Sequence, residues 1–433
     1  MKEIKIDPKM FISPPFRQCP KCGQPDSFGT LTVNDDSFSR RCFNCRYTDS
    51  IPLPELNKKI IYIDQFAISN MMKALNKKTE ANKKGRVDIF WHTLFEKLDR
   101  LCKLQLINCP DSHIHTDESL MTGYFKELER MYELLSHGVS FERSETIQEH
   151  QICEHAFNWI SGHPEKPISL DVHKVIHGKI NAWQDRLIIS MDRNITESWI
   201  EDIRKSRNIV CAEMAELFKT WQSEKGKSFK DFFDSECRGF INELISSYMD
   251  RLKRLQNISQ GKAHMTINDV FPNSSYRMIK AVFDTFEIAG IPKEKVLDRT
   301  IEYLNSDYIK DIPFLKISAM FYAAIARKAT AGQKKPPGQG MSNDISIISV
   351  ILPYCDAVFI DKECHSYIRE KPLCDEINYG TRIFSLSNKN EFLEYLDSIE
   401  KSASEDHIFW VRQAYGDDWG KPFTTLYSKG THI

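Results

Sequence analysis

The chain has little that would commit it to a membrane, to export or to a strongly charged partner. Its longest apolar region begins at Ile345, is interrupted by Pro353 and is closed by Asp356, which leaves it too short and broken to span a bilayer. The opening residues Met1-Lys2-Glu3-Ile4-Lys5-Ile6-Asp7 contain no apolar run of the kind a signal peptide needs. Both absences predict a cytoplasmic protein without membrane contact. Charge of one sign is also missing: 59 Lys and Arg stand against 60 Asp and Glu, a net charge of −1. Net charge thus neither supports nor excludes nucleic-acid binding, and any such site must come from local clustering. There is no internal repeat and no long low-complexity tract.

What is present suits a soluble globular protein. At 433 residues the chain is long enough for two or three domains with large cores, taking roughly 150 residues per domain. Its 41% hydrophobic and 27% charged content is ordinary for that class. Twelve cysteines in a chain expected to be cytosolic point to metal ligands and buried thiols in place of a disulfide framework. Four of them stand apart by spacing. Cys19-Pro20-Lys21-Cys22 and Cys42-Phe43-Asn44-Cys45 are two Cys-x-x-Cys knuckles separated by nineteen residues. Each pair can turn two thiolates onto one Zn²⁺, and four sulfurs close a tetrahedral shell around which a segment too small for its own core can fold. Thr30–Val33 and Ser37–Arg41 read as two short strands around Asn34-Asp35-Asp36, so residues 16–50 resemble a zinc ribbon. Arg17, Arg40, Arg41 and Arg46 would give it a basic surface, while a closed four-sulfur site is structural and not catalytic. Pro52 and Pro54 mark a linker.

Beyond the linker, Lys59-Ile60-Ile61-Tyr62-Ile63-Asp64 is a compact apolar strand ending in an acid, and Ile68, Met71, Met72 and Leu75 follow at helical spacing. Lys77, Lys78, Lys83, Lys84 and Arg86 form a basic loop that reads as a solvated connection. Phe90, Leu94, Leu98 and Leu101 mark a second amphipathic helix, and Leu104–Cys109 its partner strand. Then Pro110 to Glu118 turns into a helix carrying Met121, Phe125, Leu128, Tyr132 and Leu135 on one face, with Glu118 in its first turn. Residues 137–310 read as almost wholly helical, with aromatic stripes belonging to a core. His173 and His177 are four apart, but no H-E-x-x-H motif accompanies them. A basic, Gly- and Pro-rich loop at 333–342 lacks the phosphate-loop pattern G-x-x-x-x-G-K. It feeds into Asn343 and Asp344, which suit a helix start. Ala357–Ile360 is a buried strand closed by Asp361, and Thr381–Leu386 a last strand followed by a helix over Asn388–Ile399. The tail from Ser402 is aromatic and charged and suggests no role.

Asp64, Glu118, Asp344 and Asp361 each close a strand or open a helix, the edge of an open α/β sheet where ligands bind. Four carboxylates in one pocket repel each other strongly, so a fold that gathers them implies a neutralising cation, and oxygen ligands select hard ions such as Mg²⁺ or Mn²⁺. At these residues the chain resembles the PIN-domain nucleases, the superfamily that includes the toxin ribonucleases of toxin/antitoxin pairs. The resemblance rests on Ile61-Tyr62-Ile63-Asp64, on Asn343-Asp344 opening a helix, on Asp356-Ala357-Val358-Phe359-Ile360-Asp361, and on Arg382 to Leu396 as closing strand and helix. It covers about 57–135 and 310–400.

The resemblance implies an α/β, three-layer PIN-like domain with a central parallel sheet. Its halves would be 57–136 and 311–400, interrupted by a helical insertion at 137–310, preceded by the ribbon at 16–50 and followed by a tail at 401–433. Asp64, Glu118, Asp344 and Asp361 would be its catalytic, Mg²⁺- or Mn²⁺-binding acids, with Asp117 or Asp111 as alternatives to Glu118. The implied activity is metal-dependent phosphodiester hydrolysis with RNA preferred over DNA, an endoribonuclease with a toxin-like or defence role. His115, His365 and Lys362 are candidates to orient the phosphate or assist proton transfer. A second expectation is a zinc-ribbon nucleic-acid-binding or scaffold protein without catalysis. A third is a regulator that contacts a protein partner, or a second copy, through the helical insertion.

Overall fold

The structure is a computed structural model that describes residues 11–186 and 195–428. The stretch Met1–Asp7 read above lies outside the described residues, as do the last residues of the tail. No helix of the described residues is long and apolar enough to cross a membrane.

The N-terminal sheet is antiparallel, in the order β1 (Ser13–Arg17), β2 (Phe28–Val33), β3 (Ser37–Cys42) and β4 (Thr48–Pro52). It has two strands more than the pair expected. The supposed linker is packed: Pro52 ends β4, Leu53 and Leu56 are buried, and the Pro54 carbonyl accepts from the Trp183 indole at 2.8 Å.

The second sheet is parallel throughout. Its strands are β5 (Lys59–Ile63), β6 (Ile107–Asn108), β9 (Ala357–Phe359) and β10 (Arg382–Phe384), in the order β10-β9-β5-β6. The pleat explains its apolar runs. Ile60, Tyr62, Val358 and Ile360 face one core, while Ile61, Ile63, Ala357 and Phe359 face another. The second core is closed by the helices Gln65–Leu75, Ile89–Lys103, Phe125–Ser136 and Lys389–Lys401. The first is closed by Ser144–Ile160, Glu197–Ser223, Phe229–Ser259, Ser274–Ile288, Pro313–Thr330 and Met341–Ile351. Three layers result, with the sheet in the middle. Register where β5 and β9 begin is held by Asp356, which accepts from the Ile60 amide at 2.9 Å and pairs with Lys59 at 2.7 Å.

Phe359 is the hub of the second core. Its ring lies 4.9 Å from Phe392 and 6.0 Å from Phe66. Phe359→Ala is expected to cost about 3–5 kcal/mol and to lower Tm by roughly 10 °C, measurable by circular dichroism melting.

Several expectations need correction. The strand expected over Leu104–Cys109 is only Ile107–Asn108, because the preceding helix runs to Lys103 and Gln105 turns with φ 60°. Residues 137–310 are not wholly helical. There β7 (Ser140–Phe141) and β8 (Ile176–His177) pair antiparallel, and a short 3-10 turn spans Val172–Lys174. His173 and His177 therefore share no helix face, which removes the geometry for a two-histidine metal site. The basic loop is also built: Asn82 donates to the Lys73 and Ala74 carbonyls, and Glu80 pairs with Lys83 and Lys84.

The tail acquires a role. Its helix Glu405–Tyr415 clamps the ribbon, accepting from Thr30 at Ala414 (3.0 Å) and from the buried Arg40 at Gln413 (2.8 Å). Arg40, expected on a basic surface, is 1% exposed and spent on this contact. The tail also grips the α/β layers through Trp419 donating to the Lys103 carbonyl and Arg100 donating to the Gly420 carbonyl.

Candidate metal centres and acidic site

Cys19, Cys22, Cys42 and Cys45 form one group that could hold a metal ion. Sγ of Cys19 is 3.6 Å from that of Cys45, and Sγ of Cys22 is 3.8 Å from that of Cys42. A tetrahedral Zn²⁺ with bonds of about 2.3 Å separates its sulfurs by about 3.8 Å, so the donor set fits structural zinc. Burial pushes the Cys42 thiol up, yet hydrogen bonds from Ser27 and from the Cys45 and Asn44 amides outweigh it and hold the group at about 6. Those donors favour the thiolate that a metal needs.

The acids sit at the C-terminal edge of the parallel sheet. Asp64 follows β5 and caps the helix Gln65–Leu75, accepting from the Phe66 amide at 3.2 Å. Asp361 follows β9 and caps the helix Lys362–Arg369, accepting from the Cys364 amide at 2.6 Å. β5 and β9 are neighbours, so two strand ends deliver two carboxylates side by side. Asp344 lies in the first turn of Met341–Ile351, which begins two residues earlier than Asn343 suggested. Carboxylate oxygens of Asp344 and Asp361 and the Cys364 sulfur lie within 4.8 Å of one another.

Glu118 is placed differently from expectation. The segment breaks into two helices, His113–Leu120 and Phe125–Ser136, and Glu118 belongs to the last turn of the first. It still reaches the acids: Asn343 donates to its Oε1 at 3.3 Å, and its charge acts on both Asp64 and Asp344. Of the alternatives, Asp117 faces His113, Arg143 and Glu145. Asp111 binds the Val139 carbonyl and the Phe141 amide through its backbone. Neither figures among the groups acting on Asp64 or Asp344.

Burial, followed by the charges of Glu118 and Asp361, pushes Asp64 up to about 7. Burial, followed by Asp64, Asp361, Glu118 and Glu363, pushes Asp344 up to about 9. Burial likewise raises Glu118, against the hydrogen bond from Asn343. Asp344, Asp361 and Cys364 are the residues whose ligand atoms lie close enough to share one ion; Asp64 and Glu118 do not join that group and act on it through charge.

A pH dependence follows. Acids held above their unfolded values bind more protons in the folded state, so they cost stability as pH rises. The loss opens near the ordinary carboxylate value of about 4 and is complete at about 7 for Asp64 and about 9 for Asp344. The metal-free protein is expected to melt lower at pH 8 than at pH 5, with Mn²⁺ restoring more at pH 8. Scanning fluorimetry checks this; metal-free melting that rises between those pH values would contradict the repulsion.

Residues the sequence did not mark complete the surroundings. Glu363 and Cys364 follow Asp361 in the first turn of its helix, a position that could have drawn notice. Gly338 donates its amide to Glu363 at 3.3 Å, and a Cβ there would meet that oxygen at 3.2 Å. The 333–342 loop thus spends a backbone donor on a carboxylate. Arg207, from the helix Glu197–Ser223, acts electrostatically on Glu118 and had no local signal. His115 is no proton shuttle: it is 2% exposed, stacked between Tyr62 (4.9 Å) and Tyr132 (4.8 Å), and burial pushes it down to about 3. His365 is buried and lowered by burial, and Lys362 is exposed.

Comparison of the chain with protein-family models, with curated proteins and with solved structures returns no match.

Proposed function

We propose that this chain hydrolyses phosphodiester bonds of nucleic acid in a metal-dependent reaction, as an endoribonuclease on a PIN-like α/β scaffold that carries a zinc ribbon. The observation that carries the reading is the placement of Asp64 and Asp361 at the ends of neighbouring strands, with an Asp344 oxygen within 4.8 Å of Asp361 and Glu118 tied to the adjacent Asn343. A Mg²⁺ or Mn²⁺ ion held by these carboxylates would supply an acidified water as nucleophile and neutralise charge on the phosphate. Asp64 and Asp361 present oxygens from strand ends and Asp344 from a helix start, so three rigid elements aim the donor set. Asn343 orients Glu118. No side-chain nucleophile is required. The preference for RNA rests on the PIN resemblance.

The test is incubation of purified protein with labelled single-stranded RNA, structured RNA and DNA in Mn²⁺, in Mg²⁺ and in chelator. Cleavage of RNA that depends on the ion is expected. Intact substrates in every divalent metal would overturn the activity and leave a binding protein.

A further inference from the structure

Between the helices His113–Leu120 and Glu197–Ser223 lies a cleft of about 300 Å³. Its inner wall is Glu118 and Asn343, the hydrogen-bonded pair at the acidic site, so cleft and site are continuous. Its outer wall is one face of the long helix, where Trp199, Ile203, Arg207 and Val210 recur at helical spacing. Two of these residues have unusual settings. Trp199 is 42% exposed, whereas Trp91, Trp183 and Trp221 are buried. Arg207 has no hydrogen-bond or ion-pair partner among the described residues, although it acts on Glu118. Of the other acids of the wall, Asp202 lies 3.8 Å from Lys205 at the exposed rim, and Asp117, raised by burial, faces His113, Arg143 and Glu145.

We infer that this cleft binds a single-stranded segment of nucleic acid, with a base stacked on the Trp199 indole and a backbone phosphate on Arg207. An exposed indole is a platform on which any unpaired base can stack, and an unpartnered guanidinium matches a phosphate in charge and in fork geometry. The step of eight positions from one to the other spans about 12 Å along the helix, so the two contacts fall on different parts of one strand. A duplex has its bases stacked on each other and offers no face to Trp199. The strand would run past Asn343 and Glu118 to the acids, so the inference rests on the proposed nuclease reading and adds the form of substrate that the site accepts.

The experiment measures binding apart from cleavage. Fluorescence anisotropy of a short labelled oligouridylate, and of the matching DNA, is recorded in Ca²⁺ with the full chain carrying zinc. Trp199→Ala is expected to weaken binding by about tenfold or more, Trp199→Phe to retain most of it, and Arg207→Gln to weaken it and reduce the salt dependence by about one phosphate contact. A duplex of the same length should compete poorly. Both side chains are at the surface, and circular dichroism establishes that the variants fold. Single-strand affinity equal to wild type in Trp199→Ala and Arg207→Gln would overturn the cleft while leaving the nuclease reading intact. Wild-type binding without metal-dependent cleavage would overturn the nuclease reading and leave the cleft. Absence of any wild-type binding would overturn both.

Discussion

Asp361→Asn is expected to lower Mn²⁺-dependent cleavage of single-stranded RNA by at least about a hundredfold while leaving the protein folded. The substitution separates two roles of one side chain. As a helix cap, Asp361 accepts from the Cys364 amide, and Asn caps as well as Asp. As a donor in the acidic group it contributes charge, which Asn does not. Asp344→Asn should cost as much activity, and here no cap hydrogen bond is at stake. Because Asp344 is crowded by Asp64, Asp361, Glu118 and Glu363, its neutral variant should melt higher than wild type at pH 8 without metal, by on the order of a few degrees. Lost activity together with raised metal-free stability is the signature of a carboxylate kept for an ion. Undiminished cleavage by folded variants of both residues would sink the assignment.

The second large effect concerns zinc. Purified protein is expected to contain one tightly bound Zn²⁺, and Cys19→Ser combined with Cys42→Ser to remove it nearly completely, as read by elemental analysis. Zinc content unchanged in that variant would count against the site. The consequences should reach beyond the ribbon. Cys19, Phe28 and Cys42 make a core of their own too small to hold together without a metal. Thr30 and Arg40 on β2 and β3 donate to carbonyls at the end of the tail helix. Hydrogen exchange should therefore accelerate in the ribbon and in Glu405–Tyr415 together, whereas β5 and β9 keep their protection.

The sheet edge was legible in the sequence because its signals are local. Ile60–Ile63 and Ala357–Ile360 are short apolar runs, each stopped by an acid that caps the next helix. The cysteine knuckles were legible for the same reason, since the chemistry is written in their spacing. What was hidden depends on distant partners. Glu118 reads as a first-turn acid until the helix is seen to break after Leu120. His115 reads as a candidate acid or base until Tyr62 and Tyr132 close on both its faces. The tail has no pattern of its own that names the ribbon as its partner, and Arg207 is one arginine among many until its helix is laid across Glu118.

The strand order β10-β9-β5-β6 also bears on how the protein is made. β5 pairs with β9, nearly three hundred residues further along. While the chain is being synthesised, β5 and Asp64 emerge early and must wait through the whole helical block before their central neighbour exists. A ribosome-bound chain therefore has a half-formed sheet and one of its strand-end acids, and cannot gather the acidic group until Asp361 has left the exit tunnel. The ribbon in turn waits for Glu405–Tyr415, a helix further on still. The order in which the chain emerges thus brings the carboxylates together late, after the helical block has had time to fold on itself.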